Sequence, residues 1–494
     1  MAYLKVSGTK IVDQNGKEVI LRGAGLGGWM NMENFISGEY IWTTKIYGQK
    51  LTKTSGYPGC EFQIRAALAD VVGKEKSEFF FDKFLEYFFT DADAAFFKSL
   101  GLNCIRLPFN YRHFEDDMNP RVLKPEGFKH LDRVIDLCAK HGIYTILDLH
   151  TAPGGQNTDW HADAGTHIAN FWNHKDFQDR VVWLWEELAK HYVNNTWIAG
   201  YNPLNEPTDP YQTRIIDVYD RLYETIRKID PHHALFYDGN TFASDFSKFG
   251  DVHKKWENVA YSIHDYSVFG FPASPEPYTS TETQLHRLRR SYEKKRQWMD
   301  ERGLCVWNGE WGPVYARKEY EGEKTDAINE ERYRVLKDQL SIYNKDRLSW
   351  SIWLYKDIGF QGMVYVSRET PYMTLFKDFL AKKHRLAIDA WGADDSQVRD
   401  VYQPLIDLIK REVKPEHQAL YPAPVWKLTD RIGRLARNIL VSEFLVREWA
   451  EHFAGKSEQE LDEIAKSFHF DKCLHRDGLN KILTDNATLV AQEN

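Results

Sequence analysis

Eight short apolar runs alternate with stretches of helical period, and that alternation restricts the fold more than any other feature of the chain. The runs lie near 18–24 (Glu-Val-Ile-Leu-Arg-Gly-Ala), 103–108, 143–149, 198–204, 234–238, 258–264, 304–309 and 348–354. Between them the spacing predicts helices over 127–140, 176–193, 211–229, 283–302 and 328–344. Strands that alternate with helices build a parallel sheet, and eight such units close most naturally into a (β/α)8 TIM barrel. The reactive side chains fall at the C-terminal ends of these runs: Arg106, His150, Glu206, His264, Glu310 and Trp353. That rim carries the active site in barrels of this kind. A doubly wound open sheet would have no reason to gather such residues on one rim all the way round.

Two of these residues suggest the chemistry. Tyr201-Asn202-Pro203-Leu204-Asn205-Glu206-Pro207 and Val306-Trp307-Asn308-Gly309-Glu310-Trp311-Gly312 each push one glutamate out of an apolar run. Two enclosed carboxylates are the minimum equipment for cleaving a glycosidic bond with retention: one stays protonated for the leaving oxygen, the other stays ionised to attack the sugar carbon. Read singly, each is an ordinary loop carboxylate, and Arg106, His264 and Trp353 are a paired arginine, a satisfied histidine and a core tryptophan. Their joint order along the chain favours the chemical reading.

Two regions exceed the minimal barrel. Residues 31–95 separate the first two strands and carry Phe35, Tyr40, Trp42, Tyr47, Tyr57 and the run Phe79-Phe80-Phe81. This is too long for a simple loop and reads as a partly helical insertion within a catalytic barrel spanning 1–378. Residues 379–494 read as a helical C-terminal extension, with a linker or turn at 414–424. In it Leu428, Ile432, Leu435, Ile439, Val446, Trp449 and Phe453 keep a 4-3 spacing. That spacing fits a helix packed within the chain better than a coiled-coil seam through which two copies would associate.

The chain carries 64 basic and 72 acidic residues, a net charge of −8, with no basic block. This argues against nucleic acid and anionic membranes as main partners. No stretch approaches the length of an apolar membrane span, and Met1–Gly8 lacks a signal core. The five cysteines form no CxxC pair, so a reduced, cytoplasmic protein is expected unless a signal was trimmed. Cys104 and Cys305 sit in apolar runs as small buried hydrophobes.

Over roughly residues 6 to 375 the sequence resembles glycoside hydrolase family 5, a retaining barrel family of clan A, and all eight of that family's characteristic positions are filled. The resemblance implies the following roles. Arg106, in Ile-Arg-Leu-Pro, holds the nucleophile ionised. His150, in Leu-Asp-Leu-His-Thr-Ala-Pro-Gly-Gly-Gln-Asn, contacts the sugar in subsite −1. Asn205 holds the 2-hydroxyl. Glu206 is the acid/base, supported by His264. Tyr266 bonds the nucleophile Glu310. Trp353, in Ser-Ile-Trp-Leu-Tyr, is the platform under the sugar. It also implies a cis peptide after Trp353, carboxyls about 5–5.5 Å apart, a carbohydrate or glycoconjugate substrate, and no metal or organic cofactor. The His-Thr-Ala-Pro-Gly-Gly-Gln-Asn run looks like the branch of exo-β-glucanases, diglycosidases and glycolipid glycosidases. An exo-acting enzyme on a β-glucoside-type substrate is expected; the 31–95 insertion either folds over the pocket, offering Trp42 or Tyr57, or gathers its aromatics into a small satellite core on the barrel flank. The alternatives are a transglycosidase using the same residues, an endo-β-glucanase, and a catalytically dead sugar-binding barrel, against which both glutamates speak.

Gly23-Ala24-Gly25-Leu26-Gly27-Gly28 satisfies a dinucleotide-binding pattern. It leads into the insertion rather than a helix, and no acidic strand end follows at the right distance. A tight turn under the sugar site is the better reading.

Overall fold

A computed structural model describes residues 3–33, 59–165, 168–271, 274–386, 398–418, 431–433 and 435–492. Eight parallel strands, β1 (Arg22–Gly25), β2 (Cys104–Asn110), β3 (Tyr144–Thr151), β4 (Ile198–Asn202), β5 (Ala234–Asp238), β6 (Val259–His264), β7 (Val306–Glu310) and β8 (Ser349–Ile352), form a closed barrel. Trp350 to Arg22 and Ile352 to Ala24 are the pairs that close it. The helices between strands follow the sequence period within a few residues: Phe128–Lys140, Lys175–Tyr192, Arg214–Ile229, Glu282–Asp300 and Thr325–Lys345.

Side chains alternate across a strand, so every second residue points into the barrel. At the N-terminal end the inward positions are apolar: Cys104, Ile146, Phe236, Ala260 and Trp307 pack into one interior cluster. One or two pleats further on, the same face carries Arg106, Asp148 and His150, Asp238, and Ser262 and His264, all buried. A dry plug at one end and a polar mouth at the other therefore follow from one alternation. The outward positions, such as Ile105, Leu147, Tyr237 and Tyr261, join the larger core under the helices.

The described part of the insertion is helical (Glu61–Val72, Lys74–Phe88, Asp91–Ser99). Its aromatic residues pack against the C-terminal helices. Phe80 packs edge-on against Phe453 at 5.0 Å, and Phe84 against Phe468 at 4.8 Å. Phe35, Tyr40, Trp42, Tyr47 and Tyr57 lie outside the described residues.

The extension does more than append helices. Strand Cys473–His475 pairs antiparallel with Val364–Val366. Helix Asp477–Gln492 then returns to the barrel. A Cβ on Gly478 would meet the ring of Tyr333, and a Cβ on Gly101 would lie 3.1 Å from Ala487. Arg22 of β1 donates to Asn486 at 3.0 Å and to Asn344 at 3.0 Å. This helix thus sits between the helix that precedes β8 and the one that precedes β2, the place of the eighth helix of the ring. The expected division at 378/379 falls inside helix Lys377–Arg385, and residues on both sides of it share one core. Val446, Trp449 and Phe453 belong to that core, with Trp449 stacked on Phe376 at 5.5 Å. Leu428 lies outside the described residues. All five cysteines are free, and burial pushes the Cys305 thiol up to about 12.

Candidate active site

The barrel mouth brings together all eight residues singled out in the sequence. Arg106, on the inward face of β2, is fully buried. Its Nη1 donates to Glu310 Oε1 at 2.6 Å, and Nη2 to Asn205 Oδ1 at 2.6 Å and Asn202 Oδ1 at 2.9 Å. Asp148 Oδ2 stands 3.0 Å from Nη2. Burial disfavours the charge, but Asp148, Glu310 and Asp238 outweigh it and raise the guanidinium above its usual range. A permanent cation therefore sits against Glu310.

Glu310 ends β7, and its other oxygen accepts from the Tyr266 hydroxyl at 2.9 Å. Burial next to this carboxylate pushes the Tyr266 hydroxyl far up, so it remains a donor. Glu206 follows β4 in a left-handed conformation (φ 46°), with its N–H donating to Asp238 Oδ2 at 2.9 Å. His264 Nδ1 lies 2.6 Å from Glu206 Oε1 and 3.7 Å from Glu310 Oε2. One oxygen of each glutamate and a nitrogen of His264 all lie within 4.8 Å of one another. Among the described residues this trio is the one group whose spacing could hold a cation. Its oxygens already face His264, Arg106 and Tyr266.

His150 bridges two acids, with Nδ1 2.7 Å from Asp148 and Nε2 3.6 Å from Glu33. Burial alone would lower this imidazole, but Asp148 and then Glu33 and Glu310 raise it to about 10. Its ring lies parallel to Trp353, centroids 5.3 Å apart and planes 6° apart. The peptide between Trp353 and Leu354 is cis. A Cβ on Gly25 would fall 2.6 Å from the Trp353 ring. This is the physical content of the glycine at the end of β1: the backbone makes room for a tryptophan floor.

A cavity of about 290 Å³ opens between the two glutamates and Trp353. Sequence reasoning missed several of its walls. Trp160 and His161 come from the loop after β3, Glu33 from beyond β1, and Thr241 and Phe242 from the turn after β5. His161 Nε2 stands 3.2 Å from Glu206 Oε2. Thr241, Phe242 and Ala243 are three consecutive left-handed residues (φ 58°, 56° and 54°). Such residues cost roughly 1–2 kcal/mol each and persist only where the surroundings enforce them. Asn240 supplies the enforcement: it accepts from the Asp209 N–H at 2.7 Å, and its amide donates to the Asp209 carbonyl at 3.0 Å. Phe242 N–H reaches the carbonyl of Pro207, next to Glu206, at 3.4 Å. Asp148 and Asp238 were legible, since each lies on the inward alternation of its strand. Glu33 and Phe242 had no local signal.

The family model of cellulase (glycosyl hydrolase family 5) matches residues 71–359. A beta-xylosidase of Phanerodontia chrysosporium is 84% identical over 492 residues, covering 100% of both chains. Endoglucanase C of Acetivibrio thermocellus is 29% identical over 186 residues, 37% of this chain and 52% of that one. A probable glucan 1,3-beta-glucosidase A of Emericella nidulans is 28% identical over 255 residues, 50% of this chain and 58% of that one. With its reactive residues on the rim of a closed parallel barrel, this chain belongs to glycosyl hydrolase family 5 and is a glycoside hydrolase.

Proposed function

We propose that the chain is a retaining, exo-acting β-xylosidase, with Glu310 as nucleophile and Glu206 as acid/base. The observation that carries the mechanism is the approach of the two carboxylates to within 4.8 Å between their nearer oxygens. That supports the spacing of about 5–5.5 Å used for retention over the about 6.5–9.5 Å at which inverting enzymes place a water. The name of the relative that shares 84% of its residues supports xylose over the glucose expected from the sequence, and release of a terminal unit over internal cleavage.

The residues divide the work by charge. Arg106 and Tyr266 hold Glu310 ionised and aimed. Glu310 attacks the anomeric carbon while Glu206 protonates the departing oxygen. The covalent intermediate makes Glu310 neutral, and Glu206, now ionised, takes a proton from the incoming water. Trp353 floors the bound sugar. Asn205 is held by the Arg106 bond to its Oδ1, which leaves its amide nitrogen 3.3 Å from His150 Nε2. The leaving group lies on the Glu206 side, where Phe242 offers a ring face and Thr241 Oγ1 has no hydrogen-bond partner among the described residues.

The test is a panel of aryl β-glycosides and short β-xylans and β-glucans, with the anomer of the first product read by NMR. Fastest turnover of β-xylosides with β-xylose released first is the expected result. A first product of α configuration overturns retention, preference for β-glucosides overturns the sugar, and rapid loss of polymer viscosity overturns exo action.

A further inference from the structure

The side chain of Asn157 reaches a histidine that stands against Glu206. Its Oδ1 accepts from the Asp159 backbone N–H at 2.9 Å, which settles the orientation of the amide. Nδ2 then points its hydrogens at the main-chain oxygen of Glu206, 3.1 Å away, and at Nε2 of His161, 2.7 Å away. A ring nitrogen that receives an N–H has no hydrogen of its own. This contact favours a neutral imidazole with its hydrogen on Nδ1; burial of the ring works in the same direction, and the Glu206 carboxylate, which raises the imidazole, works against it. Its backbone is held by the Thr151 hydroxyl, which donates to the His161 carbonyl at 2.7 Å, and its ring lies between His150 and Phe242. The bare Nε2 stands 3.2 Å from Glu206 Oε2. That contact is attractive only when Oε2 carries a proton.

Resting on the reading of Glu206 as acid/base, we propose that Asn157 and His161 are a positioning pair that keeps the proton shared by Glu206 and His161 on the carboxyl. The two arrangements, carboxylic acid beside imidazole and carboxylate beside imidazolium, hold the same atoms and the same total charge. Only the place of the proton differs. In the ion pair, the Asn157 N–H would face a second N–H, and Glu206 would have no proton to give. Although burial favours its neutral form, charged imidazoles at His264 and His161 would hold the Glu206 carboxyl well below the usual range.

In the acid form the bonds close: His264 Nδ1–H donates to Oε1, and Oε2–H faces His161 until a glycosidic oxygen replaces it. The proton leaves with the aglycone and is restored by the attacking water. The other charged groups around Glu206 keep their places whichever residue occupies 157. They are His264 from β6, Glu310 from β7 beside Tyr266, Asp238 from β5 at 3.6 Å from His264, and Glu33, 3.6 Å from His150.

Leaving-group dependence tests the proposal, because a dinitrophenolate departs without a proton and a phenolate does not. Asn157→Asp replaces the N–H donor by an acceptor of equal size and favours a hydrogen on His161 Nε2. Expected is a loss in kcat/KM of about 10²-fold or more on phenyl β-xyloside and of about tenfold or less on the dinitrophenyl substrate, following the pattern of Glu206→Ala. If Asn157→Asp does not fold, His161→Phe, which keeps a ring but removes the acceptor, is expected to show the same slope. An equal loss on both substrates, beside a steep slope for Glu206→Ala, overturns the proposal alone. A flat response of Glu206→Ala overturns the acid/base reading, and the proposal with it.

Discussion

Arg106 is the residue on which the charge arrangement of the mouth depends. It has no exposure to solvent and meets Glu310, Asp148, Asn202 and Asn205 at once. Arg106→Met keeps much of the volume and strands two acids, so a loss of about 3–5 kcal/mol in urea unfolding is expected, with activity falling further than stability explains. Glu310→Ala is expected to abolish turnover, whereas Glu206→Ala should keep activity on good leaving groups and be partly rescued by azide. His150 gives a pH signature. Its imidazole is raised from 6.5 to about 10, so its contribution to stability is complete below about pH 6.5 and is lost as pH rises through about 10. The Tm difference between the wild-type enzyme and His150→Gln should shrink over that window, and a constant difference would refute the assignment.

The eight residues could be found in the sequence because each ends an apolar run or stands within two residues of one. Asn157 and His161 could not be weighted in the same way. Their meaning rests on a carbonyl 49 residues away and a carboxylate in another loop.

At the scale of elements, the strands were the most legible part of the chain, because short apolar runs flanked by helical period admit little else. The turn after β5 was the least. Asn-Thr-Phe-Ala contains no glycine where three left-handed residues occur, and the bonds that hold it, between Asn240 and Asp209 and from the Phe242 N–H to Pro207, reach segments distant in sequence. If that strain serves to hold Phe242 against the leaving group, Phe242→Ala should raise KM for xylobiose several-fold and leave hydrolysis of β-xylosyl fluoride unchanged. Equal effects on both substrates would make the ring a structural filler.

At the scale of the molecule, the barrel completes itself with a helix from the far end of the chain. The period of Asp477–Gln492 announces an amphipathic helix but not the surface it covers, and so the sequence suggested an appended extension. Leu483, a fully buried residue of this helix, is a direct probe. Leu483→Ala is expected to cost about 2–5 kcal/mol, with tryptophan fluorescence and activity lost in one transition. Activity that outlasts a first unfolding step would mean the barrel stands without its eighth helix.

In the proposed mechanism Glu310 forms a covalent bond to the sugar while Glu206 waits within 4.8 Å. A 2-deoxy-2-fluoro-β-xyloside with a dinitrophenolate leaving group slows both steps but lets the first proceed, and peptide mass mapping locates any adduct. Stoichiometric labelling of the peptide containing Glu310, released on addition of an acceptor sugar, is expected. Labelling of another residue, or steady turnover with no adduct and an inverted product, would contradict the mechanism.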